Sequence, residues 1–364
     1  MSYNAFSRPR FYTNSVEHLY NKGNITSIDP VFLSSSWHSP KTYTLEPSTT
    51  TSGYGYIKGF KVNLNKSSLL YDFNYIMILG HNLHSTGSSF RCYFSLGGQF
   101  ADPSSLWNYT YGSSINMTSN TSFNIDHTSD NHTNAWNIPD YDYVPVIVEV
   151  GSQSILADEI KVRLFNPTET PIKISGISLG SFYDLPYNPD LGIKKSISYD
   201  NVDTHDTISG KTVSSDFGSS KPFNPFVNVY NDAEEQEPYD VDSNAIFVLD
   251  NVQDFTPSGR RSYDISYSYI GSSESGQNHL MPRDFNFYKD IEHLDLDHEH
   301  DATKGNLYTS VINKTMGSHI PFIFSLNGSD PNDLMLARFK DNNFSFDEVA
   351  PSVHNVSFGI REVW

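Results

Sequence analysis

The chain has 364 residues, of which 14% are aromatic and only 18% charged, and its formal net charge at pH 7 is −18. A charge of this sign repels nucleic acid, and the sequence has no basic cluster to offset it. The sequence contains no window of about 18 consecutive apolar residues, the length that a membrane-spanning helix requires. We therefore expect neither a nucleic-acid partner nor a membrane partner.

Cys92 is the only cysteine in the sequence. A single cysteine excludes an intrachain disulfide and any zinc site built from cysteines. Its position in a predicted strand favours a buried structural thiol over a reactive one. Residues 1–10 contain no apolar run, so we expect no signal peptide and a chain made in a reducing compartment.

The first 53 residues are predicted to be an irregular lead-in, of which residues 1–29 form an N-terminal arm. Short strands are expected near residues 31–33 and 43–45, where apolar and β-branched residues cluster. Trp37 is expected to cover the end of the core that follows, because a large aromatic ring suits that position.

The strongest strand pattern in the chain is the apolar run at residues 75–79, which stops at Gly80. Five consecutive apolar residues are too few for a typical helix and are typical of a strand buried on both faces. Residues 90–94 alternate between apolar and polar, which predicts a partner strand with one face inward. The connection at residues 81–89 is polar and contains glycine, so we expect a surface turn.

Further short strands follow up to about residue 182. Alternating apolar residues predict strands at 144–150, 160–164 and 172–174, and Gly176 and Gly180 flank a last short strand where backbones bend or approach closely. Residues 101–140 are rich in Asn, Ser and Thr and are predicted to form a long surface excursion. About eight short strands with no amphipathic helix predict a jelly-roll-like β-sandwich over residues 30–182.

The second half, residues 183–364, is predicted to be a smaller α+β domain with an antiparallel sheet. Residues 183–190 contain two prolines and mark the passage between the two halves. A half-buried strand is predicted at residues 263–269, because its tyrosines and Ile265 alternate with polar residues. Apolar residues at helical spacing predict one helix from Leu307 to about Thr315, ended by Gly317, and apolar runs predict the remaining strands. Those strands are expected at residues 321–325, 334–339 and 356–360.

The stretch of residues 290–301 is the densest group of potential metal ligands. Three of its carboxylates alternate along the chain, which suits oxygen coordination of calcium, and three histidines could instead bind a transition metal. The carboxylates are Asp295, Asp297 and Glu299, and the histidines are His293, His298 and His300. The EF-hand pattern is absent, because His300 and Asn306 stand where Gly and Glu are required. A solvated acidic loop is the simplest interpretation here and at residues 232–237, so no metal site is predicted.

A sugar-binding site and a hydrolytic active site are two further hypotheses. His81 and Asn82 at the end of the central strand could bond a sugar hydroxyl, but capping of the turn is the more ordinary role. The sequence contains neither Gly-x-Ser-x-Gly nor His-Glu-x-x-His, and no spacing selects a glycosidase pair from its many carboxylates. Phosphate loops and dinucleotide fingerprints are also absent from it. We therefore predict no catalytic residues and no cofactor.

The order of these landmarks resembles a family of conserved virion structural proteins from the tail region of marine phages (cyanophage- and pelagiphage-like). Each motif is short, and the resemblance is carried by their shared order over residues 30–364. The landmarks are Trp37 and the residues at 79–83 (Leu-Gly-His-Asn-Leu), 176–180 (Gly-Ile-Ser-Leu-Gly), 183–186 (Tyr-Asp-Leu-Pro), 259–265 (Gly-Arg-Arg-Ser-Tyr-Asp-Ile), 321–324 (Pro-Phe-Ile-Phe) and 360–364 (Ile-Arg-Glu-Val-Trp). The resemblance implies a galactose-binding-like jelly roll in the first half and no catalysis. Residues 101–140 and 232–237 are not part of the family pattern.

The predicted function is therefore that of a phage virion protein in a tail, baseplate or fibre-attachment assembly. Such a protein would be assembled in the host cytoplasm, would not be an enzyme, and would act as a homo-oligomer that binds other virion proteins. The alternative is a glycan-binding module for host-surface recognition, with residues 81–89 and 101–140 as its loops. A polysaccharide-degrading enzyme is a third hypothesis, which requires turnover that depends on single carboxylates.

Overall fold

The computed structural model describes about half of the chain, in separate ranges. The residues that it describes are 8–37, 41–43, 56–64, 70–73, 75–83, 86, 88–95, 109–111, 115–117, 124–125, 135–136, 146–149, 154–156, 159–166, 170–185, 188–190, 192–198, 202–206, 208–209, 211–216, 260–271, 307–328, 334–350 and 353–363.

The described residues form mainly β-strands. In chain order the strands are β1 (Arg10–Thr13), β2 (Ile25–Ile28), β3 (Lys41–Tyr43), β4 (Tyr56–Leu64), β5 (Leu70–Asp72), β6 (Tyr75–Leu79), β7 (Ser89–Ser95), β8 (Tyr109–Tyr111), β9 (Ile115–Met117), β10 (Asn124–Ile125), β11 (Ala135–Trp136), β12 (Val146–Glu149), β13 (Ser154–Leu156), β14 (Glu159–Asn166), β15 (Ile172–Ile174), β16 (Gly176–Asp184), β17 (Lys194–Ser198), β18 (Val202–Asp206), β19 (Thr212–Asp216), β20 (Arg260–Gly271), β21 (Phe322–Ser325), β22 (Leu334–Phe339), β23 (Ser345–Ala350) and β24 (Val353–Glu362). The helical elements are α1 (Ser15–Asn21), two 3-10 turns (Pro30–Phe32 and Ser34–Ser36) and a π-helical turn (Tyr308–Ile312).

One large antiparallel sheet runs through both halves of the chain. Its strand order is β11-β12-β6-β16-β1-β21-β22-β24-β20-β17, and β23 adds to β24. A small sheet of order β10-β7-β14-β4-β2 packs against one end of it, and the strands of both sheets share one apolar cluster. The mainly β expectation is thus confirmed, and this end is β-sandwich-like. The jelly-roll arrangement and its galactose-binding-like form stay predictions.

The predicted buried strand β6 lies inside this sandwich. All five of its residues are buried, and its alternate side chains belong to two different apolar clusters. Ile76 and Ile78 face the small sheet, whereas Tyr75, Met77 and Leu79 pack on the opposite side of the large sheet. A strand covered on both faces has no polar side, which is why its sequence shows no alternation.

The irregular lead-in predicted for residues 1–53 is wrong for residues 10–28, which contain β1, α1 and β2. Strand β1 lies between β16 and β21 and so joins the two halves of the large sheet. It has only four residues, and its partners are far away in sequence, so no local pattern could reveal it. The short helix α1 is capped at its N-terminus by Asn14, whose side-chain oxygen accepts a hydrogen bond from the Glu17 N–H at 3.3 Å.

The predicted boundary between residues 182 and 183 falls inside β16, which is hydrogen-bonded to β1 and β6. The division of the chain into an arm and two domains stays a prediction.

The strand expected at residues 31–33 is wrong, because Pro30 starts a 3-10 turn there. Trp37 is fully buried, and its indole Nε1–H donates to the Val31 carbonyl at 3.2 Å.

The helix predicted from Leu307 to Thr315 is found only as a π-helical turn followed by further turns. Leu307, Val311 and Ile312 nevertheless pack into the apolar cluster of the second half, as their spacing predicted. The Gly317 N–H donates to the Ile312 carbonyl at 2.9 Å and closes this segment. The predicted strands of the second half are present as β20, β21, β22 and β24.

Gly180 lies where the chain crosses over β16 on its way from β1 to α1. A Cβ atom at residue 180 would collide with the Thr13 carbonyl oxygen and lie 2.6 Å from the Ser15 backbone nitrogen. Both neighbours are main-chain atoms, which cannot move aside as a flexible side chain can. The close approach expected from the glycine spacing is therefore present at this position.

We expect Gly180→Ala to lower the free energy of unfolding by about 3 kcal/mol, because the added methyl group overpacks a backbone crossing. Gly192→Ala is the matched control, since nothing lies within 4 Å of a Cβ placed there. Urea denaturation of both variants measures the difference. Equal midpoints for the two variants would contradict the crossing.

Candidate functional site

The turn after β6 contains His81 and Asn82, the candidate sugar-binding residues, and both are buried. His81 is 0% and Asn82 7% exposed. The Asn82 side-chain oxygen accepts from the Lys173 N–H at 2.7 Å, and its amide nitrogen donates to the Pro171 carbonyl at 3.2 Å. His81 Nδ1 accepts from the Leu83 N–H at 3.2 Å. The two bonds of Asn82 anchor the turn to β15 and to the residue before it, and the His81 bond lies within the turn. This arrangement agrees with the turn-capping interpretation.

Asn82→Ala is expected to lower the free energy of unfolding by about 1–3 kcal/mol, because it removes two hydrogen bonds that the buried Asn82 side chain makes to the backbone of Lys173 and Pro171. Asn82→Asp keeps the acceptor and should lose less. Chemical denaturation of the two variants distinguishes the roles. A ligand-binding asparagine would leave stability unchanged on truncation to alanine.

Cys92 lies in β7 and is 6% exposed. Burial raises the pKa of its thiol well above the ordinary value, so the thiol stays protonated and unreactive at neutral pH. This environment agrees with the structural role expected for it.

The polar outer face of the second half contains a cleft of about 410 Å³ between the turn after β22 and the strands β20 and β24. Asp264, Asp341, Asn343 and Phe344 are among its lining residues. The Lys340 ammonium forms an ion pair with Asp264 at the cleft. The cleft is thus largely polar, and an internal ion pair already engages Asp264, one of its two carboxylates.

Among the described strands, β17 ends the large sheet beyond β20. Four of its five residues are exposed, and the exposed fraction of Ile197 is 63%. Lys195 lies with its Nζ 5.7 Å from the centroid of the Tyr263 ring. An edge strand of this kind presents backbone donors and acceptors for pairing with another strand, and lysines are typical of such edges. We call residues 194–198 the β17 edge.

Strands β18 and β19 form a hairpin, residues 202–216, that follows the β17 edge after three residues. They pair over the register Val202↔Asp216 to Asp206↔Thr212, and in the described part of the chain neither strand pairs with any other. Ile208 in the connecting turn is fully exposed. A two-stranded hairpin is at best marginally stable by itself in water, so an additional contact would stabilise it. We call residues 202–216 the acidic hairpin, because its sequence has Asp203, Asp206 and Asp216 against the single Lys211.

The acidic hairpin was not predicted from the sequence, where this region appeared only as polar with widely spaced apolar residues. The available signal was the β-branched residues on both sides of the Ser209-Gly210 turn. The loops expected to bind a glycan, residues 81–89 and 101–140, are described only in part. The acidic stretches at 232–237 and 290–301 lie outside the described residues.

The described residues show neither a metal-binding cluster nor a membrane-spanning helix. They contain no group of three or more His, Cys, Asp or Glu side chains placed to hold a metal ion. None of their helices is long and apolar enough to cross a membrane.

Comparison of the chain with models of protein families, with curated proteins and with solved structures gave no match. The resemblance to phage virion proteins therefore stays a prediction.

Proposed function

We propose that this protein is a structural component of a larger assembly and acts by docking onto other protein chains, not by catalysis. The observation that carries the proposal is the acidic hairpin beside the exposed β17 edge. Among the described residues the two strands of the hairpin pair only with each other, and its turn has a fully exposed isoleucine. These features suit a segment that gains its stabilising contacts from another chain.

The particular assembly that we propose is a phage virion, in the tail, baseplate or fibre-attachment region, with the chain assembled in the host cytoplasm. The order of short motifs supports this setting, as set out for the sequence. Symmetric particles place many identical chains side by side, so an element that docks on a neighbour is useful in each copy. Assembly is preferred to glycan binding because the polar atoms of Asn82 are bonded within the chain.

Native mass spectrometry of the purified full-length chain across a concentration series tests this function. We expect a defined oligomer, or a complex with another particle protein supplied in the same sample. A chain that stays monomeric and binds no particle protein at any concentration would contradict assembly.

A further inference from the structure

We propose that the acidic hairpin of one copy docks along the β17 edge of a second copy, in a head-to-tail contact between identical chains. This inference rests on the proposed function and names the partner and the two surfaces involved.

The backbone geometry supplies the first argument. In the described part of the chain, the β17 edge ends the large sheet with no further strand beside it, and the acidic hairpin is a pair of strands that joins no larger sheet. Addition of a strand to an exposed sheet edge is a common mode of protein recognition, in which main-chain hydrogen bonds provide the affinity. Only residues 199–201 separate β17 from β18, yet the two strands do not pair within one copy.

Charge determines which surfaces meet. The β17 edge has the exposed Lys194 and Lys195, whereas the acidic hairpin has an excess of carboxylates in its sequence. Pairing two β17 edges would bring together two lysines from each copy, and pairing two hairpins would bring together their aspartates. Like charges disfavour both symmetric contacts, and opposite charges favour edge with hairpin.

Each surface also has an exposed apolar side chain. Ile197 lies in the β17 edge and Ile208 in the turn of the acidic hairpin, and the exposed fraction of Ile197 is 63%. Isolated exposed isoleucines are common, but here one occurs on each of two surfaces of opposite charge. Contact between copies would remove both from water.

A contact between two different surfaces of the same chain is heterologous, so it repeats from copy to copy. Such contacts close into a ring when the rotation between copies allows it, and otherwise extend into a helical filament. Both outcomes suit a component of a symmetric particle.

Charge reversal tests the contact in the full-length chain. We expect Lys194→Glu/Lys195→Glu and Asp203→Lys/Asp206→Lys each to raise the dissociation constant of the oligomer by at least about 100-fold, because each places like charges together. The chain with all four substitutions should regain the oligomer. Lys22→Glu, a charge reversal on an exposed residue after α1, is the control and should leave the oligomer intact.

A mixing experiment distinguishes a head-to-tail contact from a symmetric one. A chain with residues 202–216 replaced by a short Gly-Ser linker keeps only the edge, and the Lys194→Glu/Lys195→Glu chain keeps only the native hairpin. Mixed in equal amounts, they should form a one-to-one heterodimer that does not grow further. Circular dichroism of each variant shows whether its fold is retained.

The outcomes separate this inference from the proposed function. If the Lys194→Glu/Lys195→Glu chain and the Asp203→Lys/Asp206→Lys chain both kept the wild-type oligomer, the hairpin contact would be overturned and assembly through another surface would remain. Loss of the oligomer in both of these chains, without recovery in the chain with all four substitutions, would also overturn the hairpin contact. A wild-type chain that is monomeric by itself but binds another particle protein would overturn self-docking while supporting assembly.

Discussion

Replacing Phe11 with alanine is expected to lower the free energy of unfolding by about 3–5 kcal/mol, among the largest effects of any single substitution in this chain. The Phe11 ring is fully buried in β1, between the two halves of the large sheet. Its centroid lies 5.0 Å from that of Phe324 and 5.3 Å from that of Phe322. Truncation leaves a cavity that this packed aromatic cluster cannot fill.

Urea denaturation followed by intrinsic fluorescence measures the loss. Tyr20→Ala is the control, because Tyr20 is 45% exposed and its truncation should cost less than about 1 kcal/mol. A Phe11→Ala chain as stable as the control would contradict the position of β1 in the sheet.

The second large effect is expected at the ion pair between Arg261 in β20 and Glu362 in β24. Glu362 is 4% exposed at its side chain, and the Arg261 guanidinium donates to its carboxylate at 2.9 Å and to the Leu334 carbonyl at 3.1 Å. Arg261→Met removes these side-chain donors from a buried carboxylate that also accepts a hydrogen bond from the backbone N–H of residue 261 at 2.9 Å. We expect a loss of about 3–5 kcal/mol, because an uncompensated buried charge is costly.

The matched control is Lys340→Met, which breaks the more exposed ion pair with Asp264 and should cost less than about 1 kcal/mol. The double variant Arg261→Met/Glu362→Leu removes both charges and should recover part of the stability lost in Arg261→Met. Equal denaturation midpoints for Arg261→Met and Lys340→Met would contradict the buried pair.

The sequence predicted the strands whose own residues show a pattern. The apolar run at Tyr75–Leu79 and the alternation around Ile265 both correspond to strands. A strand buried on both faces has consecutive apolar residues, and a strand buried on one face alternates apolar with polar residues, so both patterns are visible in the sequence itself. Trp37 was correctly expected to be buried, since so large a ring is seldom left in water.

The sequence could not predict elements that depend on distant partners. Strand β1 has four residues and is stabilised by β16 and β21, which lie far along the chain, so it appeared as irregular lead-in. The segment after Leu307 showed helical spacing, but the structure uses that spacing to pack three apolar side chains and forms only a short π-helical turn.

The candidate docking surface was also missed, for a different reason. The residues of the acidic hairpin are mostly small and polar, so their strand signal was weak beside that of the buried strands. What identifies the hairpin as a candidate is its position next to an exposed sheet edge of opposite charge. That relation becomes visible only when the order of strands in the large sheet is known.

The proposed function requires this protein to be part of an assembled particle. The most direct test of the proposed virion function is quantitative mass spectrometry of purified particles of a phage whose genome contains this sequence, with copy number normalised to the major capsid protein. We expect a small fixed copy number in multiples of three or six, because a tail or baseplate component follows the symmetry of the particle. Absence of the protein from the particle would contradict the account.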